Sequence, residues 1–347
     1  MAETKDHFVA LDGLRAASIV PVVWHHCTPR PLEGALGRGP LGVDLFFALS
    51  GFLITTLLLR ERRRTSTVRL GAFFARRSLR LFPLYYLVLA LYAGYAAWGL
   101  GGSPIGAHFF RCLPFYATYT GNWFSPGVDH PVLFAFSWSL ATEEQFYVLW
   151  APALRVLRGH VAPALLMIGL VMVDQLAERG VVLGDAPLAH RIVTSFATPI
   201  GLGCLVAIAL DHDVTGPFVR RALQRVEVRV ALLALFVASF AIGIPLLLAH
   251  AGFALLVGCA AVEDGSILFA WARRPSVVWV GRVSYGIYLL HVSVIAVVHR
   301  AFPDARESAP FVFALSFPLA IALASATFWL IERPLFGLRA RFRVALQ

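Results

Sequence analysis

Charged residues are scarce in this chain. Asp, Glu, Lys and Arg make up 14% of its 347 residues, against about 25% in an ordinary soluble domain. That composition excludes a disordered segment and a small soluble core. Cysteines are few as well. Cys27, Cys112, Cys204 and Cys259 are scattered with no C-x-x-C pair, which removes a metal signature and a disulfide framework. One bridge between Cys27 and Cys112, both read near the outer face, is left open. No P-loop, metal box, G-x-S-x-G elbow or Cys/His triad occurs, and there is no repeat of solenoid length and no low-complexity tract. No signal peptide is read either. The leader MAETKDH is mixed in charge, and the apolar run behind it continues into HHCTPR without a small-x-small cleavage site. The net charge of +10 is spread over many loops, so it makes no single basic face for nucleic acid.

What is abundant is apolar. Hydrophobic residues are 59% of the chain and mean hydropathy is +0.73. Runs of about 20 residues recur, each long enough to cross ~30 Å of hydrocarbon. About ten are placed, at 8–28, 41–59, 81–99, 136–155, 161–177, 192–210, 230–248, 250–267, 282–299 and 310–331. The 230–267 stretch, broken at Pro245 and at His250–Gly252, reads as a hairpin or as one span plus a re-entrant piece. With the N-terminus in the cytoplasm, the inside segments collect most of the Lys and Arg, among them Arg60, Arg62, Arg63 and Arg64. The outside segments hold few, such as Arg30, Arg38 and Arg111. The bias fits the positive-inside rule. The expectation is an all-α polytopic membrane protein: a bundle of about ten transmembrane helices with both termini cytoplasmic. It forms a single domain over 1–347 with its core at about 8–336, multi-pass in the plasma (inner) membrane, with the lipid bilayer as its surroundings and no soluble domain at either end. The inside segment 60–80 reads as a basic loop. The outside segment 100–135, rich in Phe, Tyr and Trp, reads as lying on or dipping into the outer leaflet.

Ionisable residues inside such spans are costly and tend to be kept for function. The first span carries Asp12, Arg15, His25 and His26. At about 100° per residue, Arg15 and His26 fall on one face, about 16 Å apart along the axis. His26 is a candidate general base for a hydroxyl, or an interfacial histidine tying two helices. Arg77 and Arg80, at i and i+3, make a paired phosphate grip or a plain cytoplasmic anchor. Asp44, at the outer end of the second span, is a carboxylate partner for an imidazole or an acid favoured by the helix dipole. Ser50 and Gly51 behind it read as close-packing residues. In the fourth span Glu143 and Glu144 point about 100° apart, so at most one readily faces a shared cavity. Glu143 reads as polarising a base or binding a sugar hydroxyl, or as a shallow, solvated start. The ninth span carries Arg282, Ser284, Tyr285, Tyr288 and His291. Glu332 and Arg333 read as an inner-boundary ion pair or snorkelling pair. Asp211-His212-Asp213 reads as a solvated turn, and Asp174, Glu178 and Asp185 as outer-loop charges.

Taken together these segments resemble one family, the acyltransferase-3 membrane O-acyltransferases of the O-antigen and polysaccharide acetylase type. Arg15 and His26 match its Arg/Lys-x10-His, and Arg77 and Arg80 its Arg-x-x-Arg. GVDLFFALSGFLI at 42–54, WSLATEEQFY at 138–147, SYGIYLLH at 284–291 and IERP at 331–334 are similar to family segments, in family order. The resemblance covers about residues 8–336. The chain departs from the pattern after His291, where Val292-Ser293 stand in place of Trp-Pro. Many relatives carry a C-terminal SGNH hydrolase-like domain, and none is expected here.

The resemblance implies transfer of an acyl group, most simply acetyl, from cytoplasmic acyl-CoA to a hydroxyl of a cell-envelope carbohydrate or lipid-linked sugar. A lipid or secondary metabolite is the variant acceptor. No bound cofactor or metal is implied, and acyl-CoA enters as co-substrate. Arg77, Arg80 and Arg15 are then donor-binding, and His26, Glu143 and Asp44 catalytic. Trp138, Tyr147, Ser284, Tyr285, His291 and Glu332 stand on the acceptor side or in support. The competing reading is a transporter or flippase using the same intramembrane charges. Transporters favour internal repeats and broken helices, and the chain has no repeat.

Overall fold

The computed structural model describes residues 8–27, 34–125, 127–128, 131–183, 186–263, 265–335 and 337–338. Among these residues the fold is helical, with no strand. In chain order the helices are α1 (Val9–His25), α2 (Pro40–Thr65), α3 (Leu70–Gly94), α4 (Pro104–Ala117), α5 (Gly121–Phe124), α6 (Trp138–Val156) and α7 (Val161–Glu178). They continue with α8 (Pro187–Thr194), α9 (Thr198–Asp211), α10 (Thr215–Gln224), α11 (Val226–Ala241), α12 (Leu246–Val262), α13 (Pro275–Ala301) and α14 (Ala309–Thr327). A helix lies at every apolar run expected from sequence. Among the described residues six are long and apolar enough to cross a membrane: 40–65, 70–99, 161–178, 187–211, 275–301 and 309–335. The other four, α1, α6, α11 and α12, have 17, 19, 16 and 17 residues. At 1.5 Å per residue that is about 24–28 Å, a little under the ~30 Å hydrocarbon core. The doubtful 230–267 stretch is a hairpin of α11 and α12, with Pro245 as the residue that caps α12.

The chain folds as two compact units, each built from two stretches. The first is Met1–Leu59 with Thr198–Ala326, and the second is Arg60–Ala197 with Thr327–Gln347. In the first, α1 packs along α13, and α12 packs on α9 and α11. These contacts are backbone-close. A Cβ added to Gly281 would overlap the Asp12 carbonyl, and one added to Gly51 would overlap the carbonyl of Ile200. Small residues at helix crossings allow this approach, and Gly51 does what its small size suggested. On the outside, Phe311, Leu315, Leu319 and Leu323 of α14 are all exposed. Spaced by four, they form one apolar stripe suited to lipid.

The second unit revises two sequence readings, those of the 60–80 stretch and of Asp174. The basic stretch 60–80 is not a loop, because α2 runs to Thr65 and α3 starts at Leu70. Its charges are used locally. Arg62 donates to the carbonyls of Leu154, Leu157 and Gly159 at 3.2, 2.9 and 2.7 Å, closing the C-terminal end of α6. Buried Glu61 accepts from the Arg69 backbone N–H at 2.9 Å and from Arg76 at 3.2 Å. The aromatic segment 100–135 divides, with Phe110 and Phe124 exposed. Phe109, Tyr116, Tyr119 and Phe134 are buried. Tyr85 stacks on Tyr119 at 4.3 Å and donates to the Tyr116 carbonyl at 2.8 Å. Tyr119 and Phe134 sit at φ 54° and 64°, a left-handed backbone that costs about 1–3 kcal/mol and persists where packing over-determines it. Asp174 is buried on α7 and is not an outer-loop charge. Asp185 lies outside the described residues.

Candidate active site

The first unit gathers histidines where α1 ends. The last turn closes tightly, with the His26 backbone N–H bonded to the Val23 carbonyl at 3.1 Å. The imidazole takes the carbonyl one residue earlier, with His26 Nδ1 2.9 Å from Val22 O. A carbonyl oxygen only accepts, so Nδ1 carries the proton, and the neutral ring keeps its lone pair on Nε2. His26 is half-buried. Its ring meets His291 of α13 edge to face, with centroids 4.8 Å apart at 75°, and His25 at 5.3 Å. His291 is fully buried, and its Nδ1–H donates to the Tyr288 carbonyl at 2.6 Å. Farther along α13, His299 Nε2–H donates to the Cys27 carbonyl at 3.1 Å, pinning the turn behind His26. Sequence patterning does not single out His299.

Earlier in α1, Asp12 is buried and receives Arg15 Nη1 at 2.9 Å, while Arg282 Nε of α13 stands 3.8 Å from its other oxygen. Arg15 is thus partly neutralised, and Asp12 and Arg282 join the site as a pair that no motif spacing brought together. Asp44 faces an imidazole, but it is that of His250 on α12, with Nε2 3.2 Å from Oδ2. Within this unit the partner of His26 Nδ1 is the Val22 carbonyl, and Asp44 is engaged with His250. Ser284 Oγ donates to the Gly281 carbonyl at 2.9 Å, an intrahelical bond of a packing residue, and Tyr285 is half-buried.

The second unit holds the other motif residues. Arg77 of α3 lies over the Tyr147 ring, 3.5 Å from its centroid, with Glu144 Oε1 at 3.9 Å. The Tyr147 hydroxyl donates to Glu143 Oε2 at 2.9 Å. The two adjacent carboxylates therefore divide their work as the 100° offset requires, Glu144 to the arginine and Glu143 to the phenol. Next to them Gln145 and Asn122 exchange amide hydrogen bonds at 2.8 and 3.1 Å. Arg80 is half-buried on the same helix as Arg77, and Trp138 at the start of α6 is exposed. Glu332 is buried in the π-helical turn Phe328–Glu332, which packs against α3. Arg333 lies over Trp329 at 4.2 Å. All four cysteines are free thiols and buried, so no Cys27–Cys112 bridge is present.

Comparison with known proteins adds to this geometry. A family described as an acyltransferase domain matches residues 8–329. The chain is 25% identical to the O-acetyltransferase OatA of Staphylococcus aureus (strain NCTC 8325 / PS 47), over 94% of this chain and 56% of that protein. It is 28% identical to the peptidoglycan O-acetyltransferase OatA of Listeria monocytogenes, over 84% of this chain and 50% of that one. The chain spans about half the length of the curated relatives it matches. No solved structure matches it.

Proposed function

This chain belongs to the acyltransferase-3 family, and on that premise we propose that it is a multi-pass O-acetyltransferase of the plasma membrane. It moves an acetyl group from acetyl-CoA to a hydroxyl of a cell-envelope carbohydrate. The observation that carries the reading is the contact between His26 Nδ1 and the Val22 carbonyl. With Nδ1–H held by the Val22 carbonyl at 2.9 Å, Nε2 is the atom left to take a proton.

The acceptor hydroxyl gives its proton to His26 Nε2 as its oxygen attacks the thioester carbonyl carbon. The tetrahedral intermediate collapses with cleavage of the C–S bond, and the departing thiolate takes the proton back from Nε2. The ester and free coenzyme A leave, and His26 is regenerated. The Val22 bond holds the ring in one orientation through both transfers, which limits reorganisation in the transition state. Arg80 and Arg77 take the donor phosphates, and Arg15, held by Asp12, fixes α1 from inside its own unit. Glu144 already balances Arg77, so the donor competes with an internal carboxylate for it. Within the second unit Glu143 holds the Tyr147 hydroxyl, on whose ring Arg77 rests, and within the first Asp44 acts through His250.

The test is thiol release from acetyl-CoA by detergent-purified protein, with and without envelope glycan, for wild type and His26→Ala. Release that needs both His26 and glycan supports direct transfer. Release that persists undiminished in His26→Ala removes His26 as the base.

A further inference from the structure

A groove of about 300 Å³ opens in the first unit where α2 and α12 begin and α11 ends. Its walls include Arg38, Leu41, Ser239, Gly243, Ile244 and Ala249, and its volume is at the lower end of the range for small-molecule sites. The apolar walls are ordinary. Arg38 is not. Its Nη1 donates to the Ser239 carbonyl at 3.1 Å and to the Ile242 carbonyl, closing the end of α11. Those two bonds use both Nη1 protons. The Nε–H and the two Nη2 protons make no hydrogen bond among the described residues, and no described carboxylate pairs with the charge. Nε and Nη2 form the guanidinium edge that grips a carboxylate or phosphate with two parallel bonds. Gly243 keeps that edge clear, since a Cβ there would stand 2.9 Å from Arg38 Nη2.

The groove also stands next to the histidines. Gly39 follows Arg38 and rests directly on α1, where an added Cβ would overlap the His25 side chain. The His25 ring is in turn 5.3 Å from that of His26. One turn beyond the groove's Leu41 and one residue beyond its Ala249, Asp44 and His250 face each other at 3.2 Å. His250 is nine-tenths buried, and its Nδ1 has no hydrogen-bond partner among the described residues. Buried polar atoms are normally paired, so a polar ligand reaching past Leu41 and Ala249 would meet an imidazole with a site to fill.

We propose that this groove is the acceptor subsite and that it takes an acidic sugar. Arg38 grips the sugar's carboxylate or phosphate through Nε and Nη2 while a hydroxyl of the same molecule is offered toward His26. The proposal deepens the O-acetyltransferase reading and rests on it for the direction of the hydroxyl. The anion grip itself is independent of catalysis.

Equilibrium binding separates the two. A hexuronic-acid disaccharide and its carboxyl-reduced, neutral counterpart are titrated against the full chain in phosphatidylcholine nanodiscs, with and without phosphatidylglycerol, and without acetyl-CoA. The acidic disaccharide is expected to bind about tenfold more tightly than the neutral one, the scale of one charge-assisted hydrogen bond. Arg38→Gln removes that preference, and Arg38→Lys, which keeps the charge but loses the fork, retains part of it. Equal binding of both sugars to wild type overturns the proposal. So does a preference that survives in Arg38→Gln, or one that phosphatidylglycerol abolishes, which would assign the grip to a lipid headgroup. Preferential binding without any acetyl transfer would leave the subsite standing and remove the catalytic reading.

Discussion

The His26 and His291 rings meet edge to face at 4.8 Å and 75°, so the candidate base is positioned by a second histidine whose own Nδ1–H is committed to the Tyr288 carbonyl at 2.6 Å. The contact is one of ring packing. A phenyl ring can keep an edge-to-face pair with His26, so His291→Phe is expected to keep kcat within about threefold of wild type. His291→Ala leaves a hole beside His26 and should lower kcat by about 10- to 100-fold through misplacement of the base. Acetyl transfer measured with both variants decides the matter. If Phe is as damaging as Ala, His291 handles a proton and is more than a positioning residue.

Asp12 links the two helices that carry these histidines. Its carboxylate is buried between Arg15 at 2.9 Å and Arg282 at 3.8 Å. Asp12→Ala leaves two cations without their anion and should cost about 2–3 kcal/mol, at or below the foot of the about 3–5 kcal/mol range for a fully buried pair because Arg15 and Arg282 are partly exposed. Arg282 is half exposed and farther away, so Arg282→Gln should cost less than about 1 kcal/mol. Thermal unfolding of both variants in the same detergent tests the ranking. An Arg282 variant as unstable as the Asp12 variant would contradict it.

Much of this arrangement was legible in the sequence because membrane helices announce themselves by length and composition. The His26 and Arg15 pair, the Arg77 pair and the carboxylates of α6 stand out because charge is rare in apolar runs. What spacing does not disclose is partnership across helices. Asp44 looked like a partner for His26, yet it faces His250, because pairing depends on which faces α2 and α12 present to each other. Arg282 and Asp12 are far apart in the chain and meet only because Gly281 lets α13 lie against α1. The stretch 60–80 looked like a loop because arginine dominates it. Arginine is also a good helix former, and Arg62 and Glu61 find partners that composition does not reveal.

Arg77 rests on Tyr147 at 3.5 Å, and Tyr147 donates to Glu143 at 2.9 Å. Tyr147→Phe keeps the ring face and loses only the hydroxyl bond, so the KM for acetyl-CoA should change by less than about threefold if the ring face is what orients the cation. Arg77→Lys replaces a planar fork that stacks with a point charge that does not, and should raise that KM by about tenfold. Steady-state kinetics at saturating acceptor check both. A Tyr147→Phe variant with the larger defect would place the Glu143 hydroxyl bond, and not the stacked arginine, in the donor path.

The close approach of α1 and α13 makes the steepest prediction. A Cβ at Gly281 would overlap the Asp12 carbonyl, and neither backbone can yield without moving its helix. Gly281→Ala should therefore destabilise the protein by about 1–3 kcal/mol, as overpacking does, although alanine is the better helix former. The displacement would also be felt ten residues along α13, where His291 meets His26, so kcat should fall even at temperatures where the variant remains folded. Gly169, on the exposed side of α7, is the control, since nothing lies within 4 Å of a Cβ built there. Gly169→Ala should be neutral or stabilising by about 0.5–1 kcal/mol from helix propensity alone, with kcat unchanged. Unfolding midpoints and acetyl transfer measured on the two variants side by side give opposite signs if helix contact governs. Equal effects would mean that α1 and α13 tolerate separation, and that the histidine pair is not set by their crossing.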